Sequence, residues 1–340
     1  MKTVVTFGDL MLSLTPPGYQ RFLQASSFEA FYTGAEANVA ASLAQFGQKV
    51  RFVTRLPENA IGDAAVANLR KFHIETDFIV RGGERVGIVY TEKGAAQRAS
   101  TVIYDRRHSA IATAPEGCFN WEAILEHADW FHFTGITPAL SEMMTLHCLQ
   151  ACKYAKMRGI TVSCDLNFRN KLWTPEQAQR TMTRLMEYVD VLIANEEDAE
   201  KVLGIKGGNS DVMKGTLDHD GYIQAAEKIS ERYAIPYVAT TLRKSISASD
   251  NDWSAMLYHN GRGYFSKTYP IHIINRVGGG DSFAGGLIYA MRKGYDDQKM
   301  LEFATAASCL KHSIEQDFNL VSVAEVTALM DGDSSGRVRR

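Results

Sequence analysis

Short apolar runs alternate with amphipathic stretches along most of this chain. Thr3–Phe7 is a β-branched and aromatic run that stops at Gly8-Asp9, and it predicts a strand. Gly34-Ala35-Glu36-Ala37-Asn38 opens an alanine-rich helical stretch that runs to about Phe46 and closes at Gly47. Val50–Val53 predicts a second strand, and Ile61–Phe72 carries apolar residues at helical spacing. From about residue 113 the rhythm is regular. Trp130–Phe133, Thr161–Asp165, Val189–Ala194 and Tyr237–Thr241 predict strands, with helical stretches between them. Thr174-Pro175-Glu176 supplies a cap and a first-turn proline, and Ser322 with Glu325 forms a capping box for a last helix. Strands separated by helices argue for a parallel sheet covered on both faces, an α/β fold.

Two stretches fall outside the rhythm. Met11 to Leu14, a Pro16-Pro17-Gly18 turn and the aromatic-rich Phe22 to Tyr32 suggest short strands apart from the main sheet. Val86–Glu92 and Ala99–Asp105 predict two more, around a turn at Lys93-Gly94. Paired together, they would form a lid over the carboxyl ends of the strands, where open α/β sheets bind ligands. The expected division is a main nucleotide- and sugar-binding domain (1–9, 34–85 and 113–330), a β-sheet lid (10–33 and 86–112) and a flexible tail (331–340). Lys206–Asp220 is a polar, glycine-containing insertion expected on the surface. An exposed apolar lid is a pairing surface, so a homodimer or higher homo-oligomer through it is expected.

Composition narrows the partners. Lys and Arg number 37 against 39 Asp and Glu, a net charge of −2, so nothing favours nucleic acid or a membrane surface. The five cysteines are scattered, as reduced thiols in a cytoplasm would be. Cys148 and Cys152, one helical turn apart, make only half a zinc site and read as buried small hydrophobes. Asp9 interrupts the first apolar run before a signal-peptide core is complete, and no run approaches the roughly 20 apolar residues of a membrane span.

Candidate chemistry concentrates in Asn275-Arg276-Val277-Gly278-Gly279-Gly280-Asp281. The apolar run from Phe283 to Met291 reads as a helix, which puts three glycines at its N-terminus. Unpaired N–H groups and the positive end of the helix dipole suit a phosphate there. Asp281 beside such an anion hole is a natural general base for a hydroxyl attacking a phosphoryl group. The plainer alternative is a loop with an aspartate N-cap. Common nucleotide and metal motifs fail: Gly261 to Thr268 is one residue short of a P-loop and reads as a strand, Gly278-x-Gly280 is followed by Phe283, and His-Glu-x-x-His is absent.

The Gly34–Asn38 helix opening together with the distant Gly278–Asp281 turn resembles the ribokinase (PfkB) carbohydrate kinase family, over all but the last ten residues. Within it, Thr6-Phe7-Gly8-Asp9, Leu56-Pro57-Glu58-Asn59, Tyr104-Asp105-Arg106, Cys164-Asp165-Leu166-Asn167-Phe168-Arg169 and Lys311-His312 with Asp317-Phe318-Asn319 are most similar to 2-keto-3-deoxygluconate kinases. The resemblance implies a three-layer α/β/α Rossmann-like domain with a small β-sheet lid. It implies phosphoryl transfer from ATP with Mg²⁺ to the primary hydroxyl of a keto-sugar acid. Asp281 would be the base and Gly278, Gly279 and Gly280 the anion hole. Asp9, Gly34, Asn38, Tyr90, Tyr104, Arg106, Arg169 and Asp281 match substrate positions, the two arginines facing a carboxylate. Asn195, Thr241, Arg243, Ser245, Gly278 and Gly280 fall to the nucleotide, and Asn195 with Asp198 to Mg²⁺ through water. Without the resemblance, Arg106 and Arg169 read as solvated surface residues. Asn275-Arg276, where relatives have Asp-Thr, leaves a monovalent-cation site open. Open alternatives are kinases of 2-keto-3-deoxygalactonate, 5-keto-2-deoxygluconate or fructose, and a non-catalytic sugar- or nucleotide-binding relative.

Overall fold

In the computed structural model the described residues are 2–206 and 219–333. Among these residues nine strands form the central sheet. Six run parallel in the spatial order Val50–Val53, Thr3–Phe7, Ala128–Thr134, Thr161–Asp165, Val191–Ala194, Tyr237–Ser245. Asp250–His259 then adds antiparallel, and Arg262–Phe265 and Tyr269–His272 pair with it.

Successive residues of each parallel strand feed opposite faces. Val4, Phe52, Trp130, Ile193 and Ala239 enter one core, and Val5, Val53, Phe131, Leu192 and Val238 the other. Such strands read as unbroken apolar runs because both faces are covered. The first core is closed by helices Ala35–Gln45, Ala60–Lys71, Gly279–Arg292, Asp297–Lys311 and Val323–Met330. Glu142–Met157, Pro175–Met186, Glu196–Leu203 and His219–Tyr233 close the second. The fold is the expected three-layer α/β/α. Thr174 and Ser322 both form capping boxes, and Cys148 and Cys152 are buried in the second core.

A separate four-stranded sheet has the order Glu29–Thr33, Met11–Thr15, Gly87–Glu92, Thr101–Asp105. Only the end of the aromatic stretch, Glu29–Thr33, becomes a strand. Around Arg21–Ala25 the chain turns back on itself, the Gln24 and Ala25 amides donating to the Arg21 carbonyl. The expected strand ending at Thr241 runs on to Ser245 in a long hairpin with Asp250–His259, whose polar opening Asp250-Asn251-Asp252 hides it from a hydrophobicity pattern. Most of the polar insertion (207–218) and of the tail (334–340) lies outside the described residues.

Candidate active site

Most of the cleft is built from loops at the carboxyl ends of the parallel strands. Residues just beyond Phe7, Thr134, Asp165, Ala194 and Thr240 line it from below, and the small sheet covers it with Met11, Val89, Thr91, Val102 and Tyr104. The cavity volume is about 610 Å³.

The glycine-rich turn forms one wall. Helix Gly279–Arg292 begins with Gly278 as its N-cap and no side-chain cap. Asp281 is therefore the third residue of the helix and caps nothing, which removes the plainer alternative for it. Gly278 has φ +85°, and a Cβ there would fall 2.2 Å from the Asp317 carbonyl oxygen, so only glycine fits. The Gly279 N–H makes a long bond of 3.4 Å to the Arg276 carbonyl, and first-turn amides beyond it have no partner within a helix. Asp281 is buried, and its Oδ2 accepts a hydrogen bond from Asn38 Nδ2 at 2.7 Å. Burial pushes its carboxyl up to about 6, the Asn38 bond and the Arg169 charge holding it down from further. That value suits a base working near neutral pH.

Facing it is the end nearest the lid. Asp9 and Arg106 are both buried, with Arg106 Nη1 3.7 Å from Asp9 Oδ2 and its guanidinium 4.3 Å over the Tyr104 ring. Among the described residues neither Asp9 oxygen finds a hydrogen-bond donor, and burial raises its pKa against the pull of Arg106. The surface reading of Arg106 is overturned: it is 5% exposed, while its neighbour Arg107 stays outside. A Cβ on Gly34 would lie 2.0 Å from the Asp9 carbonyl oxygen, so this glycine lets the first helix reach the loop after the first strand. Glu36, close by in the same helix, is fully buried and accepts from Thr134 N, Thr134 Oγ1 and Thr137 Oγ1 at 2.9, 2.8 and 2.6 Å.

Acidic groups gather around half-buried Arg169. Burial, then the charges of Asp198 and Asp281, raise the Asp165 carboxyl well above the usual range. Asp198 is pushed up to about 6 by burial, against Arg169. Its Oδ1 accepts from Phe168 N at 3.2 Å, and Asn195 Oδ1 caps its helix through Asp198 N at 2.9 Å. Asn195 therefore has a structural job as well as a place on the cleft.

Of the residues singled out from sequence, Asp9, Gly34, Asn38, Tyr104, Arg106, Arg169, Asn195, Asp198, Thr241, Arg243, Gly278, Gly279, Gly280 and Asp281 line one cavity. Two do not. Tyr90 lies between Val89 and Thr91, so the alternation of the strand turns it to the other face, where its ring meets Phe28 at 6.3 Å. Ser245 ends its strand four residues past Thr241, exposed and off the cleft. Sequence reasoning missed Trp253, Asp165, Asp317 and the role of Arg276 as lining residues. Trp253 comes from the unrecognised hairpin strand, paired with Arg243. At the departure from the family pattern, Asn275 Nδ2 donates to the Gln316 carbonyl (2.6 Å) and to Asp317 Oδ1 (3.0 Å).

A family model described as pfkB family carbohydrate kinase matches residues 1–315. The crystal structure of 2-dehydro-3-deoxygluconokinase from Thermotoga maritima is 53% identical, with a TM-score of 0.95 over 98% of this chain and 100% of that one. A 2-dehydro-3-deoxygalactonokinase of Haloferax volcanii is 30% identical over 333 residues, 98% of each chain. A putative ribokinase II from E. coli, solved with ATP and Mg²⁺, is 17% identical at a TM-score of 0.79, covering 97% of this chain and 99% of that one, and shares the fold.

Proposed function

The chain belongs to the pfkB family of carbohydrate kinases, and we propose that it transfers the γ-phosphate of ATP to the primary 6-hydroxyl of 2-keto-3-deoxygluconate. The observation that carries this reading is the pairing, in one cavity, of the Asp281 base with two guanidiniums, Arg106 and Arg169. A planar guanidinium grips a carboxylate in two bonds, which a neutral sugar does not offer. The orphan oxygens of Asp9 supply acceptors for sugar hydroxyls. Asp281, aimed by Asn38, takes the proton of the attacking hydroxyl. The amides at the start of its helix meet the charge that spreads over the transferred group.

Thr241, Arg243, Arg276 and Trp253 line the part of the cleft left for the nucleotide. The crowded carboxyls of Asp165 and Asp198 fit a nearby divalent cation, whose charge would relieve their repulsion. Among the described residues no three His, Cys, Asp or Glu side chains converge to hold an ion directly. Asn195 and Asp198 would therefore hold Mg²⁺ through water, and the ion would supply positive charge against that of the phosphates.

Measuring ADP release with 2-keto-3-deoxygluconate, its galactonate epimer, 5-keto-2-deoxygluconate, fructose and ribose tests the proposal. The gluconate-derived acid should give the highest kcat/KM, and the two neutral sugars should be at least ~10²-fold poorer, since they offer the two guanidiniums no carboxylate to grip. A neutral sugar that performs as well would overturn it. The galactonate epimer is the second reading, supported by the name of the Haloferax relative.

A further inference from the structure

A fully buried ammonium lies directly beneath the glycine-rich turn. Lys311 is the last residue of helix Asp297–Lys311, is 0% exposed, and does not line the cleft. A Cβ built on Gly278 would sit 3.2 Å from Lys311 Cε, so the lysine stem runs under the N-cap of the catalytic helix. The same helix end braces the turn twice more. Ser308 Oγ donates to the Gly279 carbonyl at 2.7 Å, and the His312 ring fills the space beside Gly279, 2.6 Å from where a Cβ would stand.

Lys311 Nζ makes one long hydrogen bond, 3.4 Å to the Ile314 carbonyl, and among the described residues it has no carboxylate within 4 Å. Asp317, an acid on its own segment, is held by others: its oxygens accept from Thr33 Oγ1 at 2.5 Å and Asn275 Nδ2 at 3.0 Å. Burying a cation whose one contact is a long hydrogen bond to a neutral carbonyl is costly. Its field is strong in such surroundings and is not spent on a single ion pair.

We propose that Lys311 is a positioning residue for phosphoryl transfer, a fixed internal cation that stabilises the negative charge gathered at the Gly278–Asp281 turn without touching substrate. The proposal rests on the kinase reading above. Its rival is a purely structural role, in which Lys311 only offsets the buried charge of Asp317.

Asp281, Asp317, Glu315, Lys93 and His312 face Lys311, and Asn38, Arg169, Asp317, Asp165 and Lys311 face Asp281. Burial lowers Lys311 to about 8 against the pull of the acids. In the wild type, kcat/KM for ATP should therefore fall as pH rises past about 8, and Lys311→Met should abolish this limb. A double-mutant cycle separates the two roles. Lys311→Met should lower kcat by ~10²-fold with both KM values within about threefold, the scale of losing one group that stabilises a developing anion. In an Asp317→Asn background it should still cost ~10²-fold, whereas a loss below threefold there overturns the proposal. If Lys311→Met does not fold, Lys311→Gln is measured in the same way: a kcat within threefold of the wild type overturns it as well. Failure of the kinase reading is distinct, because the wild type would then release no ADP with any sugar tested.

Discussion

Asp281 owes its proposed role to its surroundings. Burial moves its carboxyl to about 6, and Asn38 fixes one oxygen at 2.7 Å. Asp281→Asn should lower kcat by ~10²–10⁴-fold, with circular-dichroism melting little changed, because a general base is worth that much in rate. The sign of the pH effect follows from the upward shift. The base works deprotonated, so kcat/KM for the sugar should drop as pH falls through about 6, not 4. Arg169→Ala should raise KM for the acid sugar by more than ~10-fold and leave KM for ATP within about twofold; equal rises would remove it from the sugar site. These residues were legible because two short motifs, Gly34–Asn38 and Gly278–Asp281, bracket the site from opposite ends of the chain. Asp317 and Lys311 stood in a stretch similar to the family, but with no role attached to either. They meet the site only through tertiary packing, and a buried lysine has the same letter as an exposed one. Tyr90 and Ser245 were misplaced for a simpler reason: one residue of strand register, or four residues of strand length, decides whether a side chain sees the cleft.

At the scale of elements, the site depends on where strands and helices stop. Each functional loop begins where an apolar run ends, and those ends were readable in Phe7-Gly8-Asp9, Asp165 and Ala194. The small sheet was readable from its break in rhythm, but the hairpin strand Asp250–His259, which brings Trp253, was hidden by its charged opening. Two glycines hold the junctions. Gly278 pairs a positive φ with a 2.2 Å approach to the Asp317 carbonyl, so Gly278→Ala forces the turn to move. A residue held in such a conformation costs ~1–3 kcal/mol, and denaturant unfolding should register a loss of that order. The kcat should fall more steeply than stability alone explains, since the first-turn amides lose their aim. Gly34→Ala runs into the Asp9 carbonyl instead, and should raise KM for the sugar while sparing KM for ATP.

On the scale of the whole molecule, the small sheet has one face to spare. Met11, Val89, Val102 and Tyr104 look into the cleft, and alternation turns Leu12, Leu14, Ile88, Tyr90 and Ile103 away from it. Leu14 pairs with Tyr90 and Tyr90 with Ile103, so these residues form a row across three strands, with Phe28 packed on it. Ile103 is 48% exposed and Leu23, in the loop before the strand Glu29–Thr33, 95%. A contiguous apolar face on a thin sheet is costly to leave in water, and the symmetric way to cover it is a second copy of the same face. The net charge of −2 opposes such pairing little. Light scattering should therefore give twice the 37.7 kDa of one chain, and Leu14→Lys with Ile103→Lys should halve it. Those positions face away from the cavity, so any rise in KM for the sugar in the monomer would come from a lid that no longer holds its place. A wild type that weighs 37.7 kDa at micromolar concentration would leave the face without this partner.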